Sequence, residues 1–175
     1  MVIVDNLFDS FFNQIIIQDL KQVNWKMASC PTPEGKCDSG IIYESWHVDW
    51  GQDSYSTNKM NCYAEIILKK FLQEHGTDLG PIGVHRYWWN YFNRANSGSF
   101  HKDINANSTD CLRNGVSKVE DFYSIVYSLN TCDGGTMIGD KFVKSEEGRA
   151  VMFPSCLDHR GIGPTEDFQR YNLNI

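Results

Sequence analysis

The chain has 175 residues and a mass of 20.1 kDa, the size of one domain with one hydrophobic core. Its 41% hydrophobic and 13% aromatic content against 22% charged residues excludes a disordered or low-complexity protein. Sixteen Lys and Arg against twenty-two Asp and Glu give a net charge of -6, and an acidic surface argues against nucleic acid as a partner. No apolar run approaches the roughly 20 residues that cross a bilayer. Asp5 and Asp9 interrupt an N-terminal stretch that also lacks the basic start of a signal peptide, so the expectation is a soluble cytoplasmic protein without a membrane partner. The six cysteines (Cys30, Cys37, Cys62, Cys111, Cys132 and Cys156) form no C-x-x-C pair, which speaks against a zinc ribbon or redox dithiol and for reduced thiols. Cys30 and Cys37, in one Pro/Gly-rich loop, are the pair with a chance of bonding.

In chain order, the β-branched Val2 to Val4 predicts a strand. Apolar residues at Phe8, Phe11, Phe12, Ile15, Ile16 and Leu20 then follow helical spacing. Residues 28 to 39 and 51 to 58 are rich in turn formers and predict loops. Between Asn58 and His75 the positions Met60, Tyr63, Ala64, Ile67, Leu68 and Phe71 again repeat with a helical period, and Gly76 supplies the stop. From Ile82 onward no long helical period recurs. Six runs predict strands: Ile82 to Phe92, Ser99 to Asp103, Phe122 to Leu129, Thr136 to Val143, Arg149 to Phe153 and Phe168 to Ile175. The expected fold is α+β and mainly β, with helical support over about 1–80 bracing a β-sandwich or barrel over about 82–175, all in a single domain over 1–175.

His101 and Asp103 stand two apart in a predicted strand, where such side chains point to the same face. An H-x-D triplet is expected about 0.4 times by chance in a chain of this composition, so alone it is a weak signal. A second copy, His47-Val48-Asp49, is present. The residues downstream of each copy tell the two apart. After Asp103 come the predicted strands, then His159, and eleven residues later Arg170 in the terminal strand. The rival frame of His47, Asp49, His101 and Arg113 has the same spacing, but the Asn58 to His75 helix occupies the place of its strands and Arg113 falls in a polar loop. Two imidazoles and one carboxylate form a facial triad with three open positions, which suits non-heme Fe(II) that binds a cosubstrate and O2 together. The guanidinium fork of Arg170 suits the distal carboxylate of a 2-oxo diacid, and Asn172, two residues on, shares its face.

The set His101-Lys102-Asp103, Gly134-Gly135-Thr136, Phe153-Pro154-Ser155, His159 and Arg170 resembles the Fe(II)/2-oxoglutarate-dependent oxygenase superfamily, and within it the compact prolyl-4-hydroxylase-like branch. The likeness spans roughly residues 82 to 175. It implies a double-stranded β-helix, or cupin-like jelly roll, with His101, Asp103 and His159 as catalytic iron ligands. It also implies that Arg170 binds 2-oxoglutarate with Asn172 beside it. Tyr91, ten residues before His101, resembles the tyrosine that hydrogen-bonds the same cosubstrate. Ser128 stands near a position where the family often carries an aromatic or polar pocket residue. If Tyr91 points inward, Trp89 does too and becomes a pocket wall. The chain ends five residues past Arg170, where some relatives carry a closing helix.

The resemblance implies a dioxygenase that hydroxylates a peptide side chain or a small molecule while 2-oxoglutarate and O2 become succinate, CO2 and product. With Asp103 present, the place a halide would take is filled, which disfavours halogenation. Two other readings stand beside it: a cupin-like metal protein without 2-oxoglutarate turnover, and a non-catalytic jelly-roll binding module. Arg170 and Asn172 favour the oxygenase over the bare metal protein. Substrate identity and oligomeric state are not encoded in these residues.

Overall fold

The computed structural model describes residues 1–22, 26–28, 43–49, 59–75, 84, 86–94, 97–104, 122–166 and 169–175, those of 26–28, 43–49 and 86 through their backbone. Their elements are β1 (Val2–Val4), α1 (Ser10–Leu20), β2 (Lys26–Ala28), β3 (Tyr43–Asp49), α2 (Lys59–His75), β4 (Arg86–Phe92) and β5 (Tyr123–Ser128), followed by β6 (Gly135–Ile138), β7 (Lys141–Lys144), β8 (Ala150–Pro154), β9 (His159–Ile162) and β10 (Arg170–Asn174). The fold is mainly β with two helices. Among the described residues one sheet has the order β1-β8-β5-β10-β4-β3-β2 and a smaller one the order β7-β6-β9, with every pairing antiparallel.

Helix α1 starts where Asp9, in extended backbone, accepts the amide N–H of Phe12 at 2.9 Å and so satisfies one of the open donors of the first turn. Its buried face carries Asn13, Ile16, Ile17 and Leu20, whereas Phe11, counted in the apolar repeat, is 76% exposed. Helix α2 buries Met60, Ala64, Ile67, Leu68 and Phe71, one stripe of a 3.6-residue repeat. Both stripes lie on one face of the large sheet, against Tyr87, Trp89, Ile125, Tyr127, Ala150, Met152, Tyr171 and Leu173. Tyr127 donates its hydroxyl to Asn13 Oδ1 at 2.5 Å inside this layer, and Tyr63 and Lys59 of α2 both reach Asp19 of α1 at 2.7 Å. The opposite face of the large sheet meets the small one: Val126, Val151 and Phe153 pack with Ile138 and Val143. The sheet is therefore covered on both sides, by helices on one and by the small sheet of β6, β7 and β9 on the other.

Several expected boundaries change. Strands β1, β2 and β3 belong to the same sheet as the later strands, so the first 80 residues supply sheet as well as helical support; the local sequence pattern predicts neither β2 nor β3. The run Thr136 to Val143 is a hairpin rather than one strand, because Gly139 takes a left-handed φ of 58° and turns the chain between Ile138 and Lys141, which face each other. The stretch Ser99 to Asp103, expected as a strand, forms none; it lies beside β9 through the isolated bridge of His101 with His159, and Ser97 just before it bridges Ile162. Cys30, Cys37, Cys111, Arg113 and His85 lie outside the described residues; Cys62, Cys132 and Cys156 are free thiols. No helix among the described residues is long and apolar enough to cross a membrane.

Candidate metal and anion site

The backbones of His101 and His159 exchange both hydrogen bonds, N to O at 3.0 and 2.9 Å, which sets the two imidazoles side by side with ring centroids 4.4 Å apart. Asp103 lies on the same face, its N–H held by the carbonyl of Ser155 at 3.1 Å. Ligand atoms of His101, Asp103 and His159 all fall within 4.8 Å of one another; among the described residues this is the one group of its kind. Nε2 of His101 lies 3.8 Å from Asp103 Oδ1, and Nε2 of His159 lies 3.4 Å from Oδ2.

The tautomers are set by the other ring nitrogens. Nδ1 of His101 is 3.0 Å from the carbonyl of Ser99, and Nδ1 of His159 is 2.9 Å from the carbonyl of Leu157. A carbonyl only accepts, so each Nδ1 donates there and Nε2 is the atom that each ring turns toward the carboxylate; in a neutral ring that atom offers a lone pair. Lone pairs and a carboxylate turned on one another repel unless a cation lies between them, and two imidazoles with one carboxylate are a transition-metal donor set. Phe153 packs edge-on against His159 at 4.8 Å, and the His159 side chain is 4% exposed. The His101 side chain is 42% exposed, so the cluster opens to solvent on that side.

Arg170 lies wholly buried on the face of β10 that looks toward the small sheet. Its Nη2 donates to Thr136 Oγ1 at 2.8 Å, its Nη1 to the carbonyl of Ile162 at 3.3 Å, and the guanidinium lies over the Phe92 ring at 5.0 Å. Among the described residues Nε has no partner and no carboxylate is in ion-pair reach. Burial pulls its pKa down to about 10, with Cys132 opposing. Room for the guanidinium depends on Gly161: a Cβ there would stand 2.4 Å from the Phe92 ring and 3.3 Å from Arg170 Nη1. Asn172 and Ser128 face each other across β10 and β5 on this same side, both buried, and Asn172 Oδ1 has no partner among the described residues.

Tyr91 is not in this pocket. It is the register partner of Tyr171, 5.0 Å ring to ring, and packs with the helix-side core, whereas its neighbour Phe92 pairs with Arg170. Trp89 shares Tyr91's parity and is buried in that helix-side core, so it is no pocket wall either. His47 and Asp49 fall in β3, in register with Trp88 and Arg86. Three residues that sequence reasoning left without a role stand at the site. Thr136 and Phe92 hold Arg170, and Ser124 donates to Asp103 Oδ2 at 2.6 Å. Ser124 and Ser128 were visible as polar residues alternating through an apolar strand, a pattern that marks a buried polar face.

No protein-family model matches this chain, and no curated protein does. Solved structures do. A viral collagen prolyl hydroxylase from Paramecium bursaria Chlorella virus-1, in complex with 2OG, superposes with a TM-score of 0.60 over 99% of this chain and 92% of its own, at 12% identity. HygX from Streptomyces hygroscopicus, with nickel and 2-oxoglutarate bound, gives 0.64 over 99% and 80%, at 10% identity. A Trichoplax adhaerens prolyl hydroxylase in complex with a hypoxia inducible factor peptide fragment gives 0.61 over 99% and 80%, at 15% identity. The fold is that of the 2OG-Fe(II) oxygenases.

Proposed function

We propose that the chain is an Fe(II)/2-oxoglutarate-dependent dioxygenase of the prolyl-4-hydroxylase-like branch, built as a jelly roll in a single domain over 1–175. The observation that carries this reading is that β9 joins His159 of the His101–Asp103–His159 donor set to Gly161, which lies against a buried guanidinium with no carboxylate beside it among the described residues. A bare metal site has no use for the second feature, because a buried cation without an anion is unfavourable. Gly161, level with the guanidinium, is two residues along β9 from His159, about 7 Å at strand rise, a span that a short dicarboxylate bridges.

In this reading His101, Asp103 and His159 hold Fe(II), Arg170 and Thr136 take the distal carboxylate of 2-oxoglutarate, and Asn172 and Ser128 line the wall between. Bound iron with 2-oxoglutarate and O2 supplies oxidative decarboxylation to succinate and CO2, coupled to hydroxylation of a C–H bond. The protein's share is orientation and exclusion of water. The two backbone carbonyls keep Nδ1 protonated and Nε2 available, and Phe153 and Phe92 keep His159 and Arg170 dry. The opening beside His101 admits the substrate, a peptide side chain or a small molecule; the likeness to a prolyl hydroxylase held with a peptide supports the first.

Anaerobic addition of Fe(II) and then 2-oxoglutarate tests the reading through the visible charge-transfer band of a chelated 2-oxo acid. The band is expected in wild type and in His47→Ala and absent from His101→Ala. Iron binding without a band would leave a metal-binding β-sandwich. Loss of iron in His47→Ala alone would transfer the site to the other H-x-D copy.

A further inference from the structure

We propose that Ser155 and Ser124 are positioning residues for Asp103, a hydroxyl relay that fixes the orientation of its carboxylate; the inference rests on reading His101, Asp103 and His159 as metal ligands and deepens it. Ser124 Oγ lies 2.6 Å from Asp103 Oδ2 and 2.8 Å from Ser155 Oγ. An ionised carboxylate only accepts, so the single hydroxyl hydrogen of Ser124 goes to Asp103. Ser124 can then only accept from Ser155, which fixes the direction of the chain as Ser155 to Ser124 to Asp103. Both serines are buried, at 3% and 5% exposure.

The relay closes into a ring. The carbonyl of Ser155 accepts the N–H of Asp103 at 3.1 Å and that of Ile104 at 3.4 Å, while the N–H of Ser155 donates to the carbonyl of Phe122 at 2.9 Å, two residues before Ser124. One residue thus holds Asp103 at its backbone directly and at its carboxylate through Ser124. The short O–H···O⁻ contact is charge-assisted and stronger than a neutral one. It occupies a lone pair of Oδ2 and resists rotation of the carboxylate, so Oδ1 stays toward His101 at 3.8 Å and Oδ2 toward His159 at 3.4 Å. The rest of this wall is apolar, Val126, Val151 and Phe153, and two buried hydroxyls persist there only because each finds a partner.

Co(II) titration of purified protein, read by affinity and by the d–d absorption that reports ligand arrangement, tests the relay, with thermal melting of the metal-free forms to follow folding. Ser124→Ala is expected to weaken Co(II) binding about 10- to 100-fold and to shift the absorption. Ser155→Ala should weaken it less, and the double variant should bind no worse than Ser124→Ala, since Ser155 acts through Ser124. Ser124→Thr, which keeps the hydroxyl, should recover most of the affinity. Wild-type affinity and spectrum in Ser124→Ala would overturn the relay, as would strictly additive losses in the double variant. Should wild type and His101→Ala bind Co(II) equally poorly, the metal reading itself falls and the relay with it.

Discussion

Replacing Arg170 by methionine separates an anion-binding arginine from a structural one. Burial lowers its pKa from the ordinary arginine value to about 10, and at 1.36 kcal/mol per unit this sets about 3 kcal/mol against the charged form in the fold. For a base whose folded pKa is depressed, the penalty is complete at every pH below the folded value and fades only as pH climbs from about 10 toward the ordinary arginine value, so it acts in full at pH 7. Against it stand two hydrogen bonds, to Thr136 Oγ1 and the Ile162 carbonyl, each worth roughly 1.5–3 kcal/mol when the donor is charged. With one of the two contacts as long as 3.3 Å the pair falls at the low end of that range, about 3 kcal/mol together, and the opposing quantities nearly cancel. Arg170→Met should therefore melt close to wild type when no ligand is present, and the difference should not change between pH 5 and 9. Breaking a buried salt bridge would instead cost about 3–5 kcal/mol.

The ligand-bound state should behave differently. A dicarboxylate neutralises the guanidinium, and leaving that carboxylate unpaired costs about 2–5 kcal/mol, or some 30-fold to several thousand-fold in affinity. Wild type with Co(II) and 2-oxoglutarate at about 100 times Kd gains about 2.7 kcal/mol, which raises Tm by about 5–10 °C in a chain of this length. Arg170→Met at the same concentration should keep the rise that Co(II) alone gives and gain at most about 3 °C from 2-oxoglutarate. A fall of about 10 °C or more in the ligand-free variant would show that the arginine is structural. A 2-oxoglutarate-induced rise that survives the substitution in full would show that the anion binds elsewhere.

Other substitutions probe the surrounding elements. Tyr91→Phe should leave 2-oxoglutarate affinity unchanged in equilibrium titration, because the side chain packs on Tyr171 behind the sheet. Gly161→Ala puts a methyl against Phe92 and Arg170 and should weaken 2-oxoglutarate binding while sparing Co(II), each measured by titration. Tyr127→Phe strips the donor from Asn13 Oδ1 in the helix–sheet layer and should lower stability by about 1–3 kcal/mol in urea unfolding. The Arg149 hydrogen bond beside Asp5 holds its carboxyl below the usual carboxylate range. That contribution is present above the unfolded value of about 3.8 and lost as pH falls through the lower folded one, so Asp5→Asn should be less stable than wild type at pH 7 by a margin that narrows as pH falls below 3.8.

The helices were legible because each has one buried stripe: Met60, Ala64, Ile67, Leu68 and Phe71 repeat with the helical period and the other positions are polar enough to contrast. The grouping of His101, Asp103 and His159 was legible because these residue types are chemically rare in that combination, and the His101–His159 bridge brings together two segments nearly sixty residues apart. Strand β3 was not. Tyr43-Glu44-Ser45-Trp46-His47-Val48-Asp49 mixes charge into both alternating sets, and its place in the sheet is given by its ladder with β4, a long-range pairing that no local pattern encodes. The Gly139-Asp140 turn was legible in principle as a two-residue hairpin signal, but β6 and β7 are four residues each and together read as one run.

The parity of β4 shows where sequence reasoning about the site ran out. Alternation reveals which side of a strand is buried only when one side meets water, and β4 has helices behind it and the small sheet in front. Tyr87, Trp88, Trp89, Asn90, Tyr91 and Phe92 are consequently large or amide-bearing on both faces, and nothing in the run itself says that Tyr91 looks backward. The deciding information sits in the neighbouring strand. Once Arg170 is required to face the metal cluster, Tyr171 must face the helices, and the antiparallel register that sets Tyr171 opposite Tyr91 carries Tyr91 with it. The same register sets Phe92 opposite Arg170, so a shift of one residue between β4 and β10 would exchange an aromatic lid on the guanidinium for a hydroxyl. Which polar side chains stand beside Arg170 is thus a property of strand pairing, and in this chain they are Thr136, Asn172 and Ser128 rather than Tyr91.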